Sequence, residues 1–169
     1  MRLDPSLRWA VELAARKQRR TVSGFLEWAA ALALHEVEIE EKLSAKTASD
    51  KTFDALEPDR LMRLALRFPE LLNHDEQVIF KFVKEMPAFW REANGRAGLN
   101  LTLVRACWEL LQRVPDEQAP TPAEIAAIRR QVEKQGSAVV LAVNPDDSFS
   151  VLVIDRNVRS FTAKGEHHA

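Results

Sequence analysis

The chain has 169 residues, of which 46% are hydrophobic and 29% are charged, and its formal net charge is -1. This composition is typical of a globular protein, and no stretch approaches the ~20 consecutive apolar residues that a membrane-spanning helix needs. The near-neutral charge argues against a protein that coats nucleic acid indiscriminately, because such binding depends on many contacts between cations and phosphates. A soluble protein with no membrane partner is therefore expected.

The sequence offers few groups that could carry out catalysis. Cys107 is the only cysteine, so neither an intramolecular disulfide nor a zinc cluster of several thiolates can form. Its place on a predicted apolar helix face favours a buried thiol over a nucleophile. The histidines lack metal-ligand spacing, and the absence of tyrosine excludes a recombinase or relaxase with a tyrosine nucleophile. We expect no enzymatic activity, no metal, no cofactor and, without an export signal, a cytoplasmic location.

A first helix is predicted directly after the N-terminus. Asp4 can cap it, and Pro5 suits its first position because a backbone N–H would have no partner there. Apolar residues then recur at helical spacing, at Leu7, Ala10, Val11 and Ala14. The helix runs into the basic cluster Arg16-Lys17-Gln18-Arg19-Arg20, which we interpret as a polar corner.

A second helix is predicted after this corner. Thr21 or Ser23 can cap its start, and its first half is unusually apolar. We expect the helix to extend to about Leu43, through the acidic run 35–41. The corner between the two helices holds most of the positive charge of this region.

The rest of the chain is predicted to form a second domain. Residues 44–52 have no apolar periodicity and are interpreted as a linker. We expect residues 53–158 to form a helical domain that ends in a β-hairpin, and residues 159–169 to form a flexible tail. This domain is a possible site for a protein partner.

The predicted elements of the second domain follow from caps, turns and apolar spacing. Capping boxes at Asn73 with Glu76 and at Thr121 with Glu124 mark two helix starts. Helices are predicted over residues 59–72, 73–86, 101–114 and 121–136, a turn over 94–100, and hairpin strands over 137–143 and 148–154.

The sequence around the basic corner carries a family resemblance. An N-terminal Arg2-Leu3-Asp4-Pro5-Ser6-Leu7, a helix, the corner Arg19-Arg20-Thr21-Val22-Ser23-Gly24-Phe25-Leu26 and a second helix together resemble the ribbon-helix-helix family of bacterial repressors and antitoxins. The resemblance covers about residues 1–34. It implies that two chains pair their N-terminal strands into a ribbon in the DNA major groove, and that the start of the second helix binds a phosphate.

The resemblance also implies roles for individual residues. Arg2 would face the bases, the start of the second helix would offer amides and hydroxyls to a phosphate, and the basic corner would add charge nearby. The DNA-binding residues implied are Arg2, Lys17, Arg19, Arg20, Thr21, Val22 and Ser23. The dimer core implied consists of Leu3, Leu7, Val11, Phe25, Leu26 and Ala29.

The sequence departs from the family pattern at its start. Only two residues precede Leu3, whereas the family has five or more strand residues there. Three explanations are open: the native start lies upstream, an unusually short ribbon reads few bases, or the module serves only for dimerisation.

These observations predict a mainly α fold with a short N-terminal strand and a C-terminal β-hairpin. Residues 1–43 would be a ribbon-helix-helix module joined to an α+β C-terminal domain. The expected function is that of a homodimeric, sequence-specific double-stranded DNA-binding protein, most simply a transcriptional repressor that acts by occlusion. An accessory factor of plasmid transfer or partition is one alternative. A protein-interaction or inhibitor module, antitoxin-like, in which the N-terminal helices mainly dimerise, is another.

Overall fold

A computed structural model of the protein describes residues 3–93, 96–146 and 148–155. The chain divides into two units, Met1–Lys51 and Thr52–Ala169, where we had predicted a linker over residues 44–52. Arg2, implied to face the bases, and the predicted tail 159–169 lie outside the described residues.

The N-terminal unit begins with two helices, α1 over Pro5–Lys17 and α2 over Val22–Glu36. The Asp4 carboxylate caps α1, because its Oδ2 accepts hydrogen bonds from the backbone N–H groups of Ser6 at 3.0 Å and Leu7 at 3.1 Å. Thr21 caps α2, with its Oγ1 accepting from the Gly24 N–H at 3.1 Å. Both predicted helices are therefore confirmed, and Thr21 rather than Ser23 is the cap.

The predicted N-terminal strand is not shown in this structure. Leu3 and Asp4, the described residues before α1, have no strand conformation assigned to them. A ribbon strand takes its hydrogen bonds from the same strand of a second chain, and one chain alone offers no such partner.

The prediction that the second helix extends to about Leu43 is wrong. It ends at Glu36 and is followed by a small antiparallel hairpin, with β1 over Glu38–Glu40 and β2 over Leu43–Ser44. Lys42 makes the turn with a φ of 64°. The physical reason is the alternation of β-branched residues with glutamates from Glu36 onward, which has the period of a strand rather than that of a helix.

The segment 44–52, predicted as a linker at a domain boundary, is helical for most of its length. Residues Ala45–Thr52 form a helix, α3. The Ser44 Oγ accepts a hydrogen bond from the Thr47 N–H at 3.3 Å, and Ala48 is buried. Local hydrogen bonding of this kind stabilises a short helix that apolar periodicity does not reveal.

The C-terminal unit contains five α-helices in its described part. The capping boxes predicted at Asn73 with Glu76 and at Thr121 with Glu124 are both present. The helix predicted over 59–72 ends earlier, at Arg67, because Pro69 and the 3₁₀ turn Pro69–Leu71 follow it. The helices are α4 over Glu57–Arg67, α5 over His74–Glu85, α6 over Leu101–Ala106, α7 over Trp108–Leu111 and α8 over Pro122–Lys134.

A four-stranded antiparallel sheet completes this unit, in the order β3-β4-β5-β6. The predicted hairpin is confirmed and forms β5 and β6, in which Val140 lies opposite Leu152. The sheet strands are β3 over Trp90–Ala93, β4 over Arg96–Asn100, β5 over Ser137–Val143 and β6 over Phe149–Asp155.

The interpretation of residues 94–100 as a turn is wrong for residues 96–100, which form β4. Glycine is required at position 98 because β4 and β5 pack closely there, not because the backbone turns. A Cβ at this position would lie 2.4 Å from the Val140 Cγ1 and 3.1 Å from the Leu141 carbonyl oxygen. Glycine therefore lets β4 approach β5.

The core of the C-terminal unit lies between its helices and its sheet. Phe89, Leu99, Leu103 and Ile125 are fully buried in it. Cys107 is buried as well, as expected, and burial raises the pKa of its thiol to about 11, so that it stays protonated near neutral pH.

A charged pair connects α4 to α6 at the edge of this core. The Asp59 carboxylate is 1% exposed and accepts hydrogen bonds from the Arg105 Nε, at 2.8 Å, and from its terminal nitrogen. Hydrogen bonding to Asp59 raises the pKa of the Arg105 guanidinium. A buried carboxylate depends on such a partner, because desolvation of an unpaired charge is costly.

Arg105→Gln should lower the free energy of unfolding of the C-terminal unit by about 3 kcal/mol, because it leaves the Asp59 carboxylate buried without its counterion. Urea unfolding followed by circular dichroism measures this loss. Arg113→Gln, at an exposed arginine of the same unit, is the matched control and should change stability by less than about 0.5 kcal/mol. Equal effects of the two variants would contradict a structural role for the pair.

Candidate nucleic-acid interface

The basic corner between α1 and α2 is built by a helix-ending motif. The Arg20 N–H donates to the Ala15 carbonyl at 2.9 Å, and the Arg19 N–H donates to the Arg16 carbonyl at 3.1 Å. These two bonds define a Schellman motif, in which the residue after the helix cap adopts a left-handed conformation. That residue is Arg19, with a φ of 54°.

Arginine at this left-handed position is unfavourable for the backbone. Glycine is the usual residue there, because a Cβ in this conformation costs roughly 1–2 kcal/mol. Lys42 and Glu117 adopt the same backbone conformation in this chain, and at the corner Arg19 places a guanidinium at the exposed tip.

The cations of the corner differ in their partners. Arg16 lies 3.9 Å from the Glu12 carboxylate and stacks over the Trp9 ring, 5.4 Å from its centroid. Arg20 stacks over the Trp28 ring, also at 5.4 Å. Among the described residues, no carboxylate forms an ion pair with Arg20.

Lys17 and Arg19 are the most available charges of the corner. Both side chains are exposed, and within the described ranges neither has a carboxylate partner. Together with Arg20 they form a cluster of three cations whose charge is not neutralised by the N-terminal unit. Such a cluster can bind phosphates.

The start of α2 adds backbone donors beside these cations. Thr21 caps the Gly24 N–H, whereas the N–H groups of Val22 and Ser23 have no acceptor in the described part of the chain. Free N–H groups at a helix start favour an anion. The structure thus brings together six of the implied DNA-binding residues, which are all exposed: Lys17, Arg19, Arg20, Thr21, Val22 and Ser23.

The residues implied for the dimer core are only partly buried within one chain. Val11 is buried at 8% exposure, whereas Leu7 is 52% exposed. The others, which are Leu3, Phe25, Leu26 and Ala29, are half-buried. No residue of α2 is buried, although this helix is the most apolar of the N-terminal unit.

One feature of this unit was missed by the sequence reasoning. The glutamates 36, 38, 40 and 41 lie at the end of α2 and on the β1–β2 hairpin, which we had placed inside the helix. The signal that could have found it is the alternation of glutamate with Val37 and Ile39. The structure therefore places an acidic hairpin at the other end of α2 from the basic corner.

Comparisons with known proteins add no assignment. Neither a family model, nor a curated protein, nor a solved structure matches the chain. Among the described helices, none is both long and apolar enough to cross a membrane. In the same residues, no three histidine, cysteine or acidic side chains are grouped in a way that could hold a metal ion.

At high salt, which screens the charges of the corner, Arg19→Gly should raise the free energy of unfolding of the N-terminal unit by about 1 kcal/mol, because glycine adopts the left-handed conformation without steric cost. Arg20→Gly is the matched control and should instead lower it by about 0.5 kcal/mol, since it adds backbone entropy to the unfolded chain and removes the contact with Trp28. Urea unfolding followed by tryptophan fluorescence distinguishes the two. Destabilisation by both variants would show that the left-handed backbone at Arg19 carries no strain.

Proposed function

We propose that the protein is a homodimeric, sequence-specific DNA-binding regulator without enzymatic activity, and that it represses transcription by occluding its site. One observation carries the proposal. An apolar helix with no buried residue, α2, begins directly beside three exposed cations that have no carboxylate partner among the described residues.

The apolar surface supports the dimer. On α2, Val22 is 41% exposed, Leu32 51% and Leu34 43%, and on α1 Trp9 is 53% exposed and Leu13 47%. Exposed apolar side chains in such number on a small unit support an interaction site. A second copy offers the same surface, and two-fold dimers are the commonest oligomers.

The basic corner supports DNA as the ligand. Cations and free helix N–H groups together bind phosphate, and a dimer presents two such corners. Two corners related by a two-fold axis would match two half-sites of a palindromic operator. Base-specific contacts would come from Arg2, as the family resemblance implies.

Arg19→Ala combined with Arg20→Ala should weaken binding to every duplex and flatten its salt dependence. Each lost phosphate contact lowers the slope of log K against log salt by about 0.9. The assay compares duplex DNA from the region upstream of the protein's own gene with a scrambled duplex, over a range of salt concentrations.

The control for this variant is Arg113→Ala combined with Arg130→Ala, which removes the same charge from exposed positions of the C-terminal unit. It should leave both affinity and slope unchanged. If the two double variants behave alike, the corner does not bind phosphates and only net charge matters.

Leu32→Gln should raise the dissociation constant of the dimer roughly 10- to 100-fold, because a leucine side chain buried at an interface contributes about 1.5–3 kcal/mol. Sedimentation equilibrium measures this change. Leu71→Gln, at a leucine of the C-terminal unit that is 45% exposed, is the matched control and should not alter the dimer. A dimer that tolerates Leu32→Gln would not be formed through α2.

A protein-interaction or inhibitor module is the second candidate function. It is favoured by the apolar helix α2, which has no buried residue within one chain, since a module that only dimerises needs this surface and no ribbon. A well-folded dimer that fails to bind either duplex at low salt would support this candidate over the regulator.

A further inference from the structure

Charge is separated along α2. Lys17, Arg19 and Arg20 lie at its N-terminal end, and four glutamates lie at its C-terminal end, which are Glu36, Glu38, Glu40 and Glu41. The 15 residues of the helix separate the two ends by about 22 Å. One end of the unit is therefore basic and the other acidic.

This separation does not serve the stability of the helix. A helix is stabilised by anions at its N-terminus and cations at its C-terminus, each contributing about 0.3–1 kcal/mol. In α2 the first turn has no acidic residue, and the last turn ends with Glu36 after His35. The charges at both ends therefore add to the helix dipole instead of offsetting it.

Contacts within the unit do not account for Glu36, Glu38 and Glu41 either. Glu41 lies 3.8 Å from the Lys42 Nζ, but both side chains are nearly fully exposed, and such a pair contributes little. Glu36 and Glu38 are exposed and, in the described ranges, have no cation partner. These two carboxylates are therefore available to a second molecule.

We infer that a second copy of this chain packs antiparallel along α2, so that the acidic hairpin of each copy lies against the basic corner of the other. Opposite charges favour antiparallel packing, because the basic corner of each copy then lies beside the acidic hairpin of the other. Parallel packing would place like charges together at both ends, at a cost of several kcal/mol.

The sequence of α2 suits a two-fold axis at its middle residue, Ala29. Alanine allows two helices to approach closely, and Ala29 is half-buried within one chain. In an antiparallel pair centred there, Leu26 of one copy lies opposite Leu32 of the second copy, and Glu36 lies opposite Val22 of the second copy, next to its basic corner. The apolar and the charged contacts thus fit one register.

This inference rests on the homodimer of the proposed function but not on DNA binding. DNA phosphates and the partner's acidic hairpin compete for the same cations, so the hairpin covers the corner in the free dimer and phosphates replace it in a DNA complex. The dimer should therefore weaken as salt is raised, whereas a purely apolar dimer would not.

A charge-swap experiment tests the inference without DNA. One full-length variant carries Glu36→Lys, Glu38→Lys and Glu41→Lys, and another carries Lys17→Glu, Arg19→Glu and Arg20→Glu. Each alone places like charges at both contacts, and its homodimer should dissociate about a hundredfold more readily than the native dimer. An equimolar mixture of the two should restore a heterodimer, which native mass spectrometry resolves when one variant bears a mass tag.

The matched control carries Glu70→Lys, Glu85→Lys and Glu109→Lys, which make the same change of net charge at exposed sites of the C-terminal unit. It should dimerise like the native chain and show no preference for the second swap variant. A milder variant with glutamine at positions 36, 38 and 41 covers the case of a swap that does not fold, and its dimer should lose its salt dependence.

Two results would overturn the inference: swap variants that form homodimers as tightly as the native chain, or a mixture without preference for the heterodimer. Failure of the proposed function is distinguished by a separate result. A native dimer that shows the charge-swap rescue but binds no duplex would remove DNA binding and keep the antiparallel contact.

Discussion

The N-terminal unit depends on removing the apolar surface of α2 from water. Within one chain this helix has no buried residue, and the buried apolar residues in the described part of the unit, residues 3–51, are Val11, Ala15, Leu43 and Ala48. So few buried side chains give little hydrophobic stabilisation to offset the conformational entropy of about fifty ordered residues. The proposed dimer would bury this surface and so stabilise the unit.

Contacts between residues that are close in sequence explain which elements could be predicted in both units. Caps and capping boxes, such as Asp4 and Thr121 with Glu124, were predictable because their hydrogen bonds join residues at most three positions apart. The hairpin of β5 and β6 was predictable for the same reason, since a turn sets its register. Hydrogen bonds and a turn between neighbouring residues thus made most helix starts and one strand pair predictable.

The predictions were wrong where contacts between residues remote in sequence, or an alternation over only a few residues, determine the structure. Gly98 was interpreted as part of a turn, but its role depends on Val140, which is remote in sequence and lies on the neighbouring strand. The acidic run after α2 was assigned to the helix because a single alternation over a few residues is a weak signal beside a long apolar helix. The same error placed the acidic run inside the helix and so missed the hairpin that carries it, whereas the basic corner was found from its position between two predicted helices.

Arg19 shows how stability and binding compete at this site. The Schellman motif that ends α1 requires a left-handed residue, and glycine would satisfy it at no steric cost. The chain has arginine there, next to Arg20 and to the uncapped amides at the start of α2. The left-handed backbone at Arg19 costs roughly 1–2 kcal/mol, and in the proposed function an anion bound at the corner would offset this cost. Phosphate and the carboxylates of a second copy are the two anions that the charge pattern of α2 brings within reach, so the strain at Arg19 is consistent with both DNA binding and dimerisation.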